Sequence, residues 1–418
     1  MKTVVFIETN FSGLDAFSYC RQKGYRSILI TDNLDRFKQW FPQSCLEKLQ
    51  TASEIIEVKN SNDFEEVKSA ILNQVGKVDA ILSFAEIRTR IAAKLCETFS
   101  LRGSSVLAID LAQNKGQFRK HLKETQIDSV RSDLFSSAQE LENHFLNDKN
   151  KTQFPCFIKP CQGHSSLGAF VCYNLNDFMK VIGKIKNLSS EGISTSYLVE
   201  DFLEGPLVSV EVLTVSSGIH QVLGIADRDV VASSVEIGSS FPVKPQEADA
   251  VIDLAKRALD AIGYTFGPSH IEIIITNSGP HLVEINTRVG GSGHSVMLDA
   301  ALGRTVVGDC IELCLGTHDL NPDLYQPKQG AAWHCYTSTQ SGILKSLPNE
   351  SEVLASEGIS HIWIHKQLGT QLKELESNFN WIFQVLCVGQ NAYDAREKAK
   401  NAIELGATQV HIEEQALK

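Results

Sequence analysis

The 418-residue sequence predicts an α/β protein built from several units, and three observations carry that expectation. Near the start, short apolar runs alternate with amphipathic stretches, the pattern of β-α-β units and of a parallel sheet with helices on both faces. In the middle, long strand-like runs meet in a hairpin with acidic residues on one face. Toward the end, after a Pro-containing link from Asn321-Pro322 to Pro327, strand and helix alternate again and finish on AYDAREKAKNAIEL, an amphipathic helix. The chain is too long for one compact core, so roughly two to four domains are expected.

Taken in order, residues 3–8 (TVVFIE) read as a buried strand, Leu14 to Lys23 as a helix and Arg26 to Thr31 as a second strand. Further strands are expected near 55–59 and 79–83, with a helix at about 62–75. The first turn, ETNFSGLD, lacks G-x-G-x-x-G, so the dinucleotide fingerprint is absent. Asp32, after the second strand, reads first as a helix N-cap or turn residue and second as a ribose-binding acid. A new unit opens near Ala112, with a basic helix over 115–124. Residues 154–203 carry two strands around a loop and a helix. Residues 207–316 carry long strands, the hairpin, and helices at about 246–262 and 293–315.

Composition is that of a globular protein: 43% apolar, 21% charged and 8% aromatic. A net charge of −11 with no Lys/Arg cluster argues against a nucleic-acid surface. No run approaches the roughly 18 apolar residues of a membrane span, and the N-terminus shows no signal-peptide core. The expected setting is cytoplasmic, with reduced thiols. The ten cysteines include Cys310 and Cys314 on one helix and Cys156, Cys161 and Cys172 near a glycine-rich loop. Neither set completes a zinc pattern, and both read as buried thiols.

The chemistry concentrates in HIEIIITNSGPHLVEINTRVGG, residues 270–291. A three-residue turn at Asn277-Ser278-Gly279 sets Glu272 opposite Glu284 and His270 opposite Asn286, all on one face. Like charges across a ladder repel unless a cation joins them; carboxylate and amide oxygens suit Mg²⁺ or Mn²⁺. Arg288, Gly290, Gly291 and Gly293 follow at once, as an anionic ligand requires. Upstream, Lys159 ends an apolar strand before Gly163-His164-Ser165-Ser166-Leu167-Gly168, a loop able to aim backbone N–H groups at phosphate oxygens. It precedes a strand and lacks the Lys-Ser/Thr pair, which excludes a Walker-type loop. In SYLVEDFL, Val199, Phe202 and Leu203 could sandwich a flat apolar base. Taken singly, Asn114-Lys115-x3-Arg119 reads as a solvated basic face, Asp227-Arg228 as a surface ion pair, and His164 and His294 as hydrogen-bonded loop histidines.

Together, the motifs NKGQFRKHL, FIKPCQGHSSLGAFV, YLVEDFLEGPLVSVEV and HIEIIITNSGPHLVEINTRVGGSG occur in an order that resembles the ATP-grasp superfamily, and within it the carboxylate–amine ligases of the L-amino acid ligase type. The resemblance spans nearly the whole chain. It implies a Rossmann-like domain over 1–112, a two-part ATP-grasp domain over 113–316 with a lid at about 151–203, and a C-terminal α/β domain over 317–418. It implies that Lys115 and Lys159 hold the ATP phosphates and that Gly163, Ser165, Ser166 and Gly168 belong to the lid loop. Glu200, Phe202 and Leu203 would clamp adenine, and Glu272, Glu284 and Asn286 would bind Mg²⁺. Arg288 would be catalytic, steadying the transferred phosphoryl group and the acyl phosphate. His270, Arg288, Gly290 and Gly291 would bind the substrate carboxylate. Where relatives carry a second Glu for the ribose, this chain has Leu207, and Glu211 is the substitute.

The implied reaction joins a small carboxylate, activated as an acyl phosphate, to an amine, with release of ADP and phosphate. Two other readings stay open: the same grasp serving a carrier-protein thiol or a nucleotide-precursor amine, and a non-catalytic ATP-binding regulator. The expected partners are small molecules, and a homodimer is common among similar ligases. Specificity is expected from 227–240, 290–296 and 333–342.

Overall fold

A computed structural model describes residues 1–147, 153–188, 193–231, 234–373, 375 and 377–414. The first sheet is parallel, in the order Glu54–Glu57, Arg26–Thr31, Thr3–Ile7, Ala80–Leu82. Alternation along the central strand feeds two cores. Val5 and Ile7 pack with Val67, Ile91 and Leu95, while Val4 and Phe6 pack with Phe17 in a core that also holds Met297, Ile311 and Trp333. The N-terminal unit therefore shares its interior with the rest of the molecule. The helix expected over 62–75 is Phe64–Ala70, continued by a π turn at Ile71–Val75. Asp32 is neither N-cap nor open acid. Its carboxylate accepts from Ser61 and Arg88 and pairs with Arg36, and Asn33 caps the next helix.

The sheet that includes residues 156–201 starts upstream of 151. Ser132–Phe135 pairs with Tyr197–Asp201, and with Cys156–Pro160 and Phe170–Cys172 they make a four-stranded antiparallel sheet. Helices Ala138–Asn147 and Leu175–Lys186 join through Phe145 and Phe178, whose rings stack at 3.9 Å. The strand SDLF is short and three of its four residues are not buried, so it offers no apolar alternation to read.

A further antiparallel sheet runs in the order Ile219–Asp227, Leu207–Ser216, Gly267–Thr276, Gly279–Asn286. Val208, Val210, Ile271, Ile273 and Leu282 point into a core with helix Ala248–Ala261. Burying one such side chain contributes about 1.5–3 kcal/mol. A one-residue slip would exchange the isoleucines for His270, Glu272 and Ile274, so this core fixes which face carries the acids. The expected helix over 293–315 is two, His294–Leu302 and Val306–Leu315, because Gly303 stops the first in the left-handed region at φ 65°.

A boundary at 316/317 does not separate two sheets. Strands Asp229–Val231 and Val235–Phe241 join Gly330–Thr337, Trp381–Gly389 and Ile359–Ile364 in one five-stranded sheet, covered by helix Ala392–Ala407. Among the described residues no helix is long and apolar enough to cross a membrane. The ten cysteines are free and buried.

Candidate active site

Between the two four-stranded antiparallel sheets and the carboxyl ends of the parallel strands lies a cavity of about 1250 Å³. A typical small-molecule site is about 300–1,000 Å³, so there is room for a nucleotide and further reactants.

The hairpin at its centre has the expected pairing reached by a different route. Thr276 pairs with Gly279, so the turn is the two residues Asn277 and Ser278, not three. A bulge at Val283 then restores the one-residue offset, and Glu272 faces Glu284 while His270 faces Asn286. The bulge also turns two successive side chains, Val283 and Glu284, toward the cavity, while Leu282 and Ile285 stay in the core.

The two acids are not equivalent. Glu284 receives Lys115 Nζ at 3.0 Å and Asn286 Nδ2 at 2.8 Å. Burial opposes its charge, but Lys115 and Asn286 hold its pKa at about 2. Among the described residues Glu272 has only His270 Nε2, at 3.4 Å; burial and the facing Glu284 carboxylate raise its pKa. Asn286 Oδ1 accepts from Arg288 at 3.2 Å, and Arg288 also reaches Glu86 at 2.5 Å. Two carboxylates and an amide oxygen on one cavity face, one acid short of positive charge, fit a hard divalent cation.

A second cluster lies toward the lid. Lys159 Nζ is 2.6 Å from Glu200, which also pairs with Arg119. Burial would raise Glu200, yet the two cations hold it at about 2, and burial lowers Lys159. Arg119 is buried and further paired with Asp128 at 3.5 Å, so the basic helix does not present a solvated face. Lys115 contacts Gly163 O at 3.4 Å as well as Glu284, joining lid loop and hairpin. Ser165 and Ser166 occupy the left-handed region at φ 55° and 59°. Their loop is docked: Ser166 Oγ donates to Ser234 O at 2.7 Å, and Asn378 N to Ser165 O at 3.4 Å. Phe157, Tyr173, Phe202, Leu203, Leu207 and Ile274 give this end an apolar lining.

Several expected site residues stand elsewhere. Val199 packs inside the lid core. Gly168 does not line the cavity; a Cβ there would meet Leu188 at 2.6 Å, and its φ is 76°. Gly290 is excluded likewise: its missing side chain makes room for His294 and His270, while Gly291 does line the cavity. Glu211 offers nothing to a ribose. It is buried behind the cavity, and one oxygen accepts from His270 Nδ1 at 2.7 Å, His294 Nε2 at 2.9 Å and Ser209 Oγ at 2.7 Å. Glu211, His270 and His294 have a metal-like composition; hydrogen bonds occupy Glu211 Oε1, both His270 nitrogens and His294 Nε2, while His294 Nδ1 is buried without a hydrogen-bond partner among the described residues. Burial opposes charge on His270, yet Glu211 raises it to about 9, while burial holds His294 at about 4. His294 starts a helix and is not in a loop.

Arg228 is a site residue that sequence reasoning missed. It is buried, and its guanidinium contacts Ser239, Glu236 at 3.2 Å and His270 Nε2 at 2.9 Å. Its neighbour Asp227 turns away to Arg396 and Ser240. Glu86, Asn10 and Asn33 also line the cavity. They follow parallel strands at their carboxyl ends, where open α/β sheets bind ligands, and that rule would have found them.

Residues 152–296 match the ATP-grasp domain family. Among solved structures, the chain is similar to an L-amino acid ligase from Bacillus licheniformis at 17% identity and TM-score 0.80, covering 100% of this chain and 99% of that one. It is also similar to the biotin carboxylase domain of the Hydrogenobacter thermophilus 2-oxoglutarate carboxylase, solved with MgADP and bicarbonate, at 16% and 0.70, covering 99% and 90%. The family match is thus to residues 152–296, while the likeness of fold to these solved structures extends over the whole chain. In sequence it is 22% identical to the uncharacterized protein y4rH of Sinorhizobium fredii over 336 residues, 78% of this chain and 67% of that protein. It is 23% identical to the carbamoyl phosphate synthase large chain of Vibrio parahaemolyticus over 427 aligned positions, 96% of this chain but 36% of that one. The chain thus spans about a third of that relative.

Proposed function

We propose that this protein is an ATP-dependent ligase that activates a carboxylate as its acyl phosphate and passes the acyl group to an amine, with release of ADP and phosphate. The observation that carries this reading is the opposed pair Glu272 and Glu284, with Glu272 short of positive charge, in a cavity that also holds Lys115, Lys159 and Arg288. The same reading assigns the apolar lid end, with Phe202 and Leu203, to adenine, and Lys115 and Lys159 to the phosphates. Arg119 and Glu200 keep Lys159 in place. Glu272, Glu284 and Asn286 would hold Mg²⁺, which when bound neutralises the triphosphate. The L-amino acid ligase and biotin carboxylase likenesses agree with nucleotide and metal chemistry in this fold.

A carboxylate is a poor acyl donor because oxide would have to leave; phosphate leaves readily. Phosphoryl transfer needs alignment and charge neutralisation more than covalent help. Arg288, which already donates to Asn286 Oδ1, is placed to stabilise the transferred group and then the oxyanion at the acyl carbon. The docked lid loop excludes water from the acyl phosphate. Loop side chains from 227–240 and the C-terminal sheet complete the substrate wall, including Arg228 in place of the Gly290 contact.

The test is phosphate release from Mg-ATP across a matrix of amino acids offered as acid and as amine, with mass spectrometry of the products. The expected result is one equivalent each of ADP and phosphate per new amide bond. ATP binding with no turnover across the matrix would refute the reading.

A further inference from the structure

One wall of the cavity holds a buried polar relay that the activation step does not use. His365 follows strand Ile359–Ile364, and its backbone N–H donates to Ile382 O at 2.8 Å. Its ring lines the cavity between Phe11 and Trp381, with centroids at 6.1 and 5.8 Å. Imidazole Nε2 lies 3.1 Å from Gln384 Oε1, and Gln384 Nε2 donates to Ser292 O at 2.7 Å. Gln384 is fully buried in the middle of a strand, where a polar side chain is costly unless both ends are bonded. Ser292, at φ 60°, presents that carbonyl from the turn four residues after Arg288.

The relay fixes a tautomer. A carbonyl oxygen only accepts, so Ser292 orients the amide with its nitrogen toward itself and its oxygen toward the imidazole. His365 Nε2 must then carry the hydrogen, and Nδ1 keeps its lone pair. Nδ1 has no hydrogen-bond partner among the described residues, and it is not sealed from solvent.

We propose that His365 is a catalytic residue of the second half-reaction, taking the proton from the amine nucleophile on Nδ1. This rests on the ligase reading above. Phe11, His365 and Lys366 line the same cavity as Arg288, and the amine is assigned to that stretch of wall. The neutral amine's lone pair forms the C–N bond. The bond from acyl carbon to phosphate oxygen breaks, and its electron pair leaves with phosphate. The N–H proton passes to Nδ1, while Nε2–H remains on Gln384; the imidazolium then returns the proton to phosphate or solvent. Burial holds His365 at about 4, so the ring is a free base at neutral pH. The nitrogen loses basicity as the C–N bond forms, and its proton transfers to Nδ1 in that step.

The experiment separates the two half-reactions. Wild type, His365→Ala and His365→Asn are given Mg-ATP and the twenty L-amino acids as acids. Hydroxylamine serves as nucleophile in one arm and the same amino acids serve in the other. Hydroxylamine is neutral near pH 7 and strongly nucleophilic, so it reports acyl phosphate without a base. His365→Ala should lower the amide rate on the order of 100-fold or more and leave hydroxamate formation near wild type. His365→Asn, which keeps an acceptor close to the Nδ1 position, should recover part of the loss. A parallel fall in both products, or an unchanged amide rate, overturns the role of His365. Wild type that yields neither product overturns the ligase reading itself, and the inference with it.

Discussion

Two acidic groups sit on neighbouring strands of one sheet, and their environments are opposite. Glu211, on Leu207–Ser216, is sealed from the cavity and saturated: two imidazoles and a hydroxyl bond one oxygen, and its pKa lies well below 4.5 although burial pulls the other way. Glu272, on the adjoining Gly267–Thr276, opens on the cavity, has one distant histidine and faces another carboxylate; its pKa is raised. A buried acid with a complete set of donors is part of the framework. A buried acid short of counter-charge stores a demand for a cation, which is the mark of a binding site.

The comparison breaks most visibly if the framework acid is neutralised. Glu211→Gln leaves His270 without the charge that raises it and His294 with a weakened acceptor. Removing one partner of a buried ion pair costs about 3–5 kcal/mol, and that loss is the expected fall in unfolding free energy by denaturant titration. The sign with pH follows from the direction of the shift. A depressed carboxylate contributes stability above its ordinary 4.5 and loses it as pH falls below that value. The variant should therefore lose less stability than wild type on acidification below pH 4.5. Unchanged stability at pH 7 would mean that Glu211 is not the anchor of the histidines.

Glu284→Gln should act on the other side of the comparison. It removes one charged ligand oxygen and the partner of Lys115 at a cavity wall, leaving the core untouched. Ligation should fall on the order of 10²–10³-fold, the loss seen when one stabilising group of a charge-bearing site is removed. The thermal midpoint should fall too, because Lys115 and Asn286 lose the carboxylate they hold at a depressed pKa, so turnover is compared at a temperature where the variant is folded. Wild-type turnover would refute the metal assignment.

How much of this was legible follows from where each signal lies. The four parallel strands and the hairpin register were readable because alternation and apolar runs are local. The pairing of Glu272 with Glu284 emerged correctly although the turn was assigned one residue too long, since the Val283 bulge compensates for the shorter turn. Bulges leave no trace in a period-two pattern. Glu211 was misread because its sequence position resembles a ribose contact, while its partners, His270 and His294, lie 59 and 83 residues away. Arg228 and Arg119 looked solvated because local charge says nothing of burial; only the packing of strand ends and of the lid shows that they are enclosed. The strands 229–241 were assigned to the wrong unit because sheet membership is a long-range property.

The smallest effect sharpens the comparison most. Glu272 carries a raised pKa, so its ionised form is disfavoured in the folded protein. Such a group lowers stability as pH rises from its ordinary 4.5 through the higher folded value. Glu272→Gln should accordingly raise the metal-free thermal stability at pH 7, by about 0.5–2 kcal/mol, as removal of strain at a functional site commonly does, and leave stability at pH 4 almost unchanged. With Mg²⁺ present the order should invert, because the cation stabilises wild type by binding its two acids and the variant offers only one. Mg²⁺ affinity of wild type should also weaken as pH falls toward 4.5, as the proton competes for Glu272. Thermal melts with and without Mg²⁺ at both pH values measure all three. A variant destabilised without metal would place Glu272 with Glu211 in the framework, and the distinction between the two strands would fail.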